Sequence, residues 1–175
     1  MSLKSALFVV SVAAALFIGG VSYAQQPNPL DAVPEKMPFD IPYGTPISLE
    51  RADAVLSAAV AEAKKRDWKL NCAVVDSGAN LVSFKRMDGA QIASIAISEH
   101  KARTAAKYRR ETKVFESGMQ LSNFHYIATL DDAIASRGGI PLVEGGKLIG
   151  AVGCSGGTGS QDEVVAKAAV AALIK

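Results

Sequence analysis

Gly138–Glu163 reads GGIPLVEGGKLIGAVGCSGGTGSQDE, and its reading decides the fold. Nine glycines and one proline punctuate a run that is otherwise largely apolar or β-branched. Glycine serves where the backbone needs positive φ or where another group approaches it closely. Ile140–Val143 and Lys147–Cys154 therefore read as two strands joined at Glu144-Gly145-Gly146, a hairpin turn. Ser155–Gly159 is a loop out of the second strand. Ser160, with Glu163 three residues on, reads as a capping box that starts a last helix over Gln161–Ile174.

Upstream, the same logic gives a matching half. Ser48 caps a helix over Leu49–Asp67, with Leu49, Ala52, Leu56, Ala59, Val60 and Ala63 on one face. Leu70–Asp76 and Leu81–Arg86 are strands, joined by the turn Ser77-Gly78-Ala79-Asn80. A second helix runs from Gln91 to about Arg110. Its helical spacing places Ile92, Ile95, Ala96, Ala102 and Ala106 on one stripe, with Glu99 and Arg103 set to pair inside it. A smaller second face collects Ala93, Ile97, His100 and Thr104, so this helix is expected to pack on the sheet and on a ligand or subunit. Glu111–Gln120 holds a further short helix, and Leu121–Leu130 reads as loop.

The strands come as hairpins rather than alternating singly with helices. The fold class is therefore α/β of the α+β type: one domain, an antiparallel sheet of about five strands flanked by helices, in a profilin-like arrangement.

Outside this domain, residues 1–24 read as a signal peptide. Lys4 precedes the uncharged apolar run Ala6–Val21, which closes on Ser22-Tyr23-Ala24, small residues at the cleavage positions. The competing reading is an uncleaved anchor. With cleavage, the expected location is periplasmic or secreted, without stable membrane anchoring. Residues 25–47 form a proline-rich arm, and residues 48–175 are the domain. The formal charge of +2 and the lack of a clustered basic face exclude a nucleic-acid footprint. Export makes a Cys72–Cys154 disulfide one reading. Two small buried hydrophobes are the preferred one, since order alone does not set their strands side by side.

Chemistry is sparsely supplied. The glycine loop lacks the Lys-Ser/Thr pair of a phosphate loop, and Asp162 and Glu163 already occupy the positive helix end. Two histidines 25 residues apart do not make a zinc triad. Haem needs only one axial side chain and an apolar pocket. His100, at the edge of an apolar helix face, and His125, between Phe124 and Tyr126, both meet that demand.

Three stretches in order, AVVDSGANLVSFKRMDGA, SIAISEHKARTAA and the glycine-rich segment with its helix, resemble the GlcG/HbpS family. That family includes extracellular haem-binding proteins and the C-terminal domain of PduO-type proteins. The likeness covers about Ser48 to Lys175 and falls on Asp76, Gly78, Arg86, Asp88 and Gly89, on Lys101 and Thr104, and on Gly138, Gly139, Pro141, Gly150, Gly153, Ser155, Gly156, Asp162 and Glu163. It implies homo-oligomers that bind haem or another tetrapyrrole between subunits. Some members carry an axial histidine near the start of the domain, whereas this chain has none before His100. The iron ligand is then His100 or, alternatively, His125, or a nearby Tyr108, Met119 or Tyr126. Arg103, Thr104 and Tyr126 complete the expected cofactor-binding set. The leading expectation is a secreted or periplasmic oligomeric haem-binding protein for haem storage, transfer or sensing. The rival is a small-molecule enzyme or accessory protein of a catabolic pathway with a subunit-interface site, drawing on Asp76, Arg86, Asp88, Glu99, His100 and Arg103 for acid–base chemistry.

Overall fold

The computed structural model describes residues 28–174, so the expected signal peptide and the first residues of the arm lie outside the described residues. The described residues up to Val33 belong to a unit of their own. Its described part is a single 3-10 turn, Pro29–Asp31, capped by the Asn28 side chain. The rest of the chain from Pro34 forms the second unit.

In that unit the helices are α1 (Leu49–Lys65), α2 (Ala93–Tyr108), α3 (Thr112–Leu121) and α4 (Gly159–Ala171). The strands are β1 (Asn71–Asp76), β2 (Leu81–Arg86), β3 (Gly139–Glu144) and β4 (Lys147–Ser155). They form one antiparallel sheet in the order β2-β1-β4-β3. Among the described residues the sheet has four strands where about five were expected. The arm contributes only a parallel bridge from Tyr43 to Leu148, because Pro42 and Pro46 lack the N–H groups a longer ladder needs.

The turns are those the residues demand. Gly145 and Gly146 both take positive φ, 55° and 73°, as a two-residue hairpin turn requires. The Asp76 carboxylate accepts from the N–H groups of Gly78 and Asn80 and so closes the β1–β2 turn.

Side chains alternate across the sheet with the period of a strand. Cys72 and Val74 of β1, with Val152 and Cys154 of β4, face α1 and α4, where Val55, Leu56 and Val165 complete the larger core. Ala73 and Val75, with Ala151, face α2 and its Ala102, Ala105 and Ala106. The first face is packed with branched side chains and the second mostly with alanines.

That second face corrects the sequence reading of α2. The residues turned inward are Ser94, Ser98, Lys101, Ala102, Thr104, Ala105 and Ala106, while Ile92 is 75% exposed. The cause is close approach. A Cβ on Gly153 would lie 2.1 Å from the Ser98 carbonyl oxygen, and one on Gly139 2.3 Å from that of Lys101. Small residues dominate so near a strand, with Lys101 the one large side chain turned inward, while Ile95 and Ile97 are only half-buried. Gly153→Ala is expected to destabilise the fold by about 3 kcal/mol, the upper end for an overpacked core, since backbone is what must move. Chemical denaturation of the variant checks this.

Two further expectations change. The capping box at α4 is made by Thr158 and Gln161 rather than by Ser160 and Glu163. Thr158 has the extended backbone an N-cap needs, and Glu163 is drawn instead into ion pairs with Lys113, Arg137 and Lys167. Cys72 and Cys154 form a disulfide, not a pair of free thiols. The β1–β4 register sets them directly opposite each other, with Cα atoms 4.2 Å apart. Among the described residues no helix is long and apolar enough to cross a membrane.

Candidate functional site

The chain leaves α2 through Arg109, whose left-handed φ of 54° breaks the helix, and re-enters helix at Thr112. This corner separates α2 from α3, whose first residue Thr112 accepts from the Gly139 N–H of β3. Beyond α3, a 3-10 turn over His125–Thr129 folds back on it. Gly118 makes the return close: a Cβ there would lie 2.8 Å from Ile127 Cδ1.

Between α3, the 3-10 turn and the arm lies a cavity of about 780 Å³. Its walls are mostly apolar and aromatic, with Phe39, Tyr108, Val114, Phe115, Leu121, Phe124, Tyr126, Ile127 and Leu130. Tyr108 and Phe115 meet edge to face, ring centroids 5.1 Å apart. Phe124 and Tyr126 form a second, tilted pair at 6.0 Å. Leu121 is 82% exposed, Tyr126 48% and Val114 43%, so the mouth presents apolar surface to solvent.

The polar groups of the cavity are few. Lys113 donates to Glu163 at 3.2 Å. Arg110 lies over the Phe39 ring, 3.5 Å from its centroid, and 5.4 Å from that of Phe115. Burial pulls the Arg110 guanidinium below its usual range. The Tyr108 hydroxyl donates to the Asp131 carbonyl.

The residues singled out from sequence divide into two places. Tyr126 is in the cavity wall. His125 opens the 3-10 turn, exposed, between two aromatic wall residues. His100, Arg103 and Thr104 lie on α2, His100 about 12 Å along the helix axis from Tyr108. There Thr104 Oγ1 donates to the Asp132 carbonyl and accepts from the Ile134 N–H, which fastens the segment before β3. Arg103 pairs with Glu99 at 3.1 Å. The hydrogen bond from Lys107 is the main cause that holds the Asp132 carboxyl below its usual range, with smaller help from His100 and Arg103. Among the described residues His100 Nε2 is sealed from solvent and has no hydrogen-bond partner. The acid–base set of the enzyme reading is dispersed, with Asp76 closing its turn, Arg86 exposed at the end of β2 and Asp88 exposed beyond it. Among the described residues no three His, Cys, Asp or Glu side chains group to hold a bare metal ion.

Phe39, Arg110 and Phe115 were not singled out from sequence. The cue for Phe115 and its neighbours was present: Val114, Phe115, Gly118 and Leu121 recur at helical spacing before the aromatic pair at 124 and 126. Nothing local marks Phe39, which reaches the cavity only through the tertiary course of the arm.

A buried ion cluster connects to the cavity through Lys113, which pairs with Glu163. Lys101 Nζ and Asp162 Oδ2 are 2.7 Å apart, with side chains 1% and 3% exposed. Burial pushes the Asp162 carboxyl up, against the pull of Lys101 and of the Gly157 and Gly156 N–H groups. Nearby, Glu116 and Glu163 are pushed up by burial as well. For Glu116 the hydrogen bonds from Arg137 outweigh that burial, and for Glu163 those from Lys167 and Lys113 do, so both end below the usual 4.5. Groups with depressed folded values stabilise the fold above pH 4.5 and lose that contribution as pH falls through the folded values. Asp162, with a raised value, acts in the opposite sense. Acid is thus expected to weaken the wild type below pH 4.5 more steeply than Arg137→Ala, in urea titrations of both at stepped pH.

A family model described as haem degrading protein HbpS-like matches residues 47–171. The protein GlcG of Escherichia coli K12 is 43% identical over 109 residues, spanning 62% of this chain and 81% of GlcG. Two solved structures share the fold and more than a quarter of the sequence. HbpS superposes with a TM-score of 0.68 at 28% identity, covering 78% of this chain and 96% of HbpS. A PduOC–haem complex superposes at 0.66 and 26% identity, covering 73% and 95%. These likenesses define an antiparallel α+β domain of the HbpS type. The chain belongs to the GlcG/HbpS family.

Proposed function

We propose that this chain binds haem or a closely related tetrapyrrole in the cavity between α3, the 3-10 turn and the arm. The observation that carries the reading is the cavity itself: about 780 Å³, with aromatic walls and two cations among its few polar groups. A planar apolar macrocycle with acidic side groups requires that pairing of walls and charge. The residues therefore fit the group. Bound iron would supply an open coordination position for small ligands or redox chemistry. The iron would be held by His125, which lies exposed at the start of the 3-10 turn, outside the cavity wall but adjacent to the wall residues Phe124 and Tyr126. His100 is the comparison position, its Nε2 lacking a partner among the described residues.

A periplasmic or secreted setting is supported by the Cys72–Cys154 disulfide, since such bonds persist in oxidising compartments. Assembly into homo-oligomers is supported by the apolar residues left outside, among them Ile92 just before α2 and Leu121 at the end of α3. In that setting the role is to store, carry or sense haem. The test is a haem spectrum of the His125→Ala and His100→Ala variants. His125→Ala is expected to shift the Soret band and weaken binding about tenfold or more, with His100→Ala close to wild type. The reverse pattern would move the ligand to α2.

A further inference from the structure

Resting on that reading of the cavity, we infer that Arg110 is the group that recognises an acid on the ligand, and that Phe39 holds it aimed for that purpose. Arg110 is half-buried and donates through Nε only to the Tyr108 carbonyl. Among the described residues no carboxylate pairs with it. Glu111 borders the same cavity but forms no ion pair with Arg110, and its charge acts on Lys167. Lys113, the other cation there, is already engaged by Glu163. Arg110 is thus the cavity's uncommitted cation, with the guanidinium face covered and its remaining N–H donors unclaimed.

The side that covers it is built at a backbone cost. Phe39 has φ of 68°, an unfavourable conformation for a bulky aromatic. From Ile41 onward the arm is fixed by hydrogen bonds: the Ile41 carbonyl accepts from Arg109, the Tyr43 hydroxyl donates to the Lys107 carbonyl, and Pro42 and Gly44 bond to Leu148. Those anchors place Phe39 against Arg110, where stacking leaves the planar N–H fork free to meet a carboxylate edge-on. A ligand whose acid groups are masked loses that contact and leaves Arg110 desolvated without a partner. The cavity therefore selects carboxylate-bearing tetrapyrroles over neutral ones.

The test compares hemin with hemin dimethyl ester in Soret titrations of the full chain, with melting curves run in parallel. Wild type is expected to bind the free acid about tenfold or more tightly than the ester. Arg110→Ala and Arg110→Gln should bring that ratio near one, and Arg110→Lys should keep part of it. Phe39→Leu, which retains the apolar wall but not the aromatic face, should lower the ratio, whereas Phe39→Tyr should preserve it. Equal binding of acid and ester by wild type, or an undiminished ratio in both Arg110→Ala and Arg110→Gln, overturns the role of Arg110 and leaves the cavity a tetrapyrrole site. Failure of wild type to bind either compound overturns the cavity reading itself, and this inference with it.

Discussion

Asp162→Ala is expected to lower the free energy of unfolding by about 3–5 kcal/mol, the scale for leaving a buried charge without its partner. Lys101 is 1% exposed, and its ammonium meets the Asp162 carboxylate at 2.7 Å. The other carboxylate oxygen accepts from the Gly157 N–H at the start of α4. The pair therefore joins α2 to the N-terminal turn of α4 at the edge of the glycine-rich strands. Gly138 packs closely on the pair: a Cβ there would come within 2.8 Å of Asp162 Cβ and 3.2 Å of Lys101 Nζ. Replacing both residues together, as Lys101→Met with Asp162→Leu, is expected to cost much less than Asp162→Ala alone, because no charge is then stranded. Equilibrium urea unfolding of the three proteins measures this. A loss below about 1 kcal/mol for Asp162→Ala would show that the pair contributes little beyond volume.

Breaking the Cys72–Cys154 bond is the second large effect. The bond closes a loop of 82 residues, for which chain entropy gives about 4–5 kcal/mol of stabilisation through the unfolded state. Both sulfurs lie in the core shared with α1 and α4, Cys72 3% exposed and Cys154 fully buried. The Cys72→Ala/Cys154→Ala protein is therefore expected to fold to the same sheet but to melt much earlier. Because the effect acts mainly on the unfolded chain, strand pairing and cavity should be retained below the transition. Far-UV circular dichroism with thermal melts, oxidised against the double variant, reads both. A shift of only a few degrees would mean that the unfolded chain is already compact around β1 and β4.

The fold was largely legible because its markers are local. Ser48 before an apolar helical stripe, the Asp76–Asn80 turn and the Gly145-Gly146 pair each state their backbone conformation in one or two residues. The hairpins imply antiparallel pairing without knowledge of the order β2-β1-β4-β3. What was not legible depends on contacts distant in sequence. The inward face of α2 is set by Gly139 and Gly153 on other elements, so Ser94 and Ser98 are buried where isoleucines were expected. The disulfide depends on a register between strands 82 residues apart.

The site shows the same division. Aromatics at 124 and 126 are visible as neighbours, and His125 between them was a natural candidate. Arg110 and Phe39 are 71 residues apart and meet only because Arg109 caps α2 in a left-handed turn and the arm runs back over it. The Lys101–Asp162 pair was visible only as part of a shared motif, since neither residue alone distinguishes a helix-end charge from a buried one.

The central claim is that the cavity at α3 takes a tetrapyrrole, and one titration tests it most directly. Hemin is added to the full wild-type chain and to Ser117→Trp, which fills the cavity from α3, and Soret absorbance is followed to saturation. The expected result is saturable binding by wild type and affinity reduced about tenfold or more in Ser117→Trp, with both proteins folded. Equal affinity in the two, or no saturable change with wild type, would contradict the assignment.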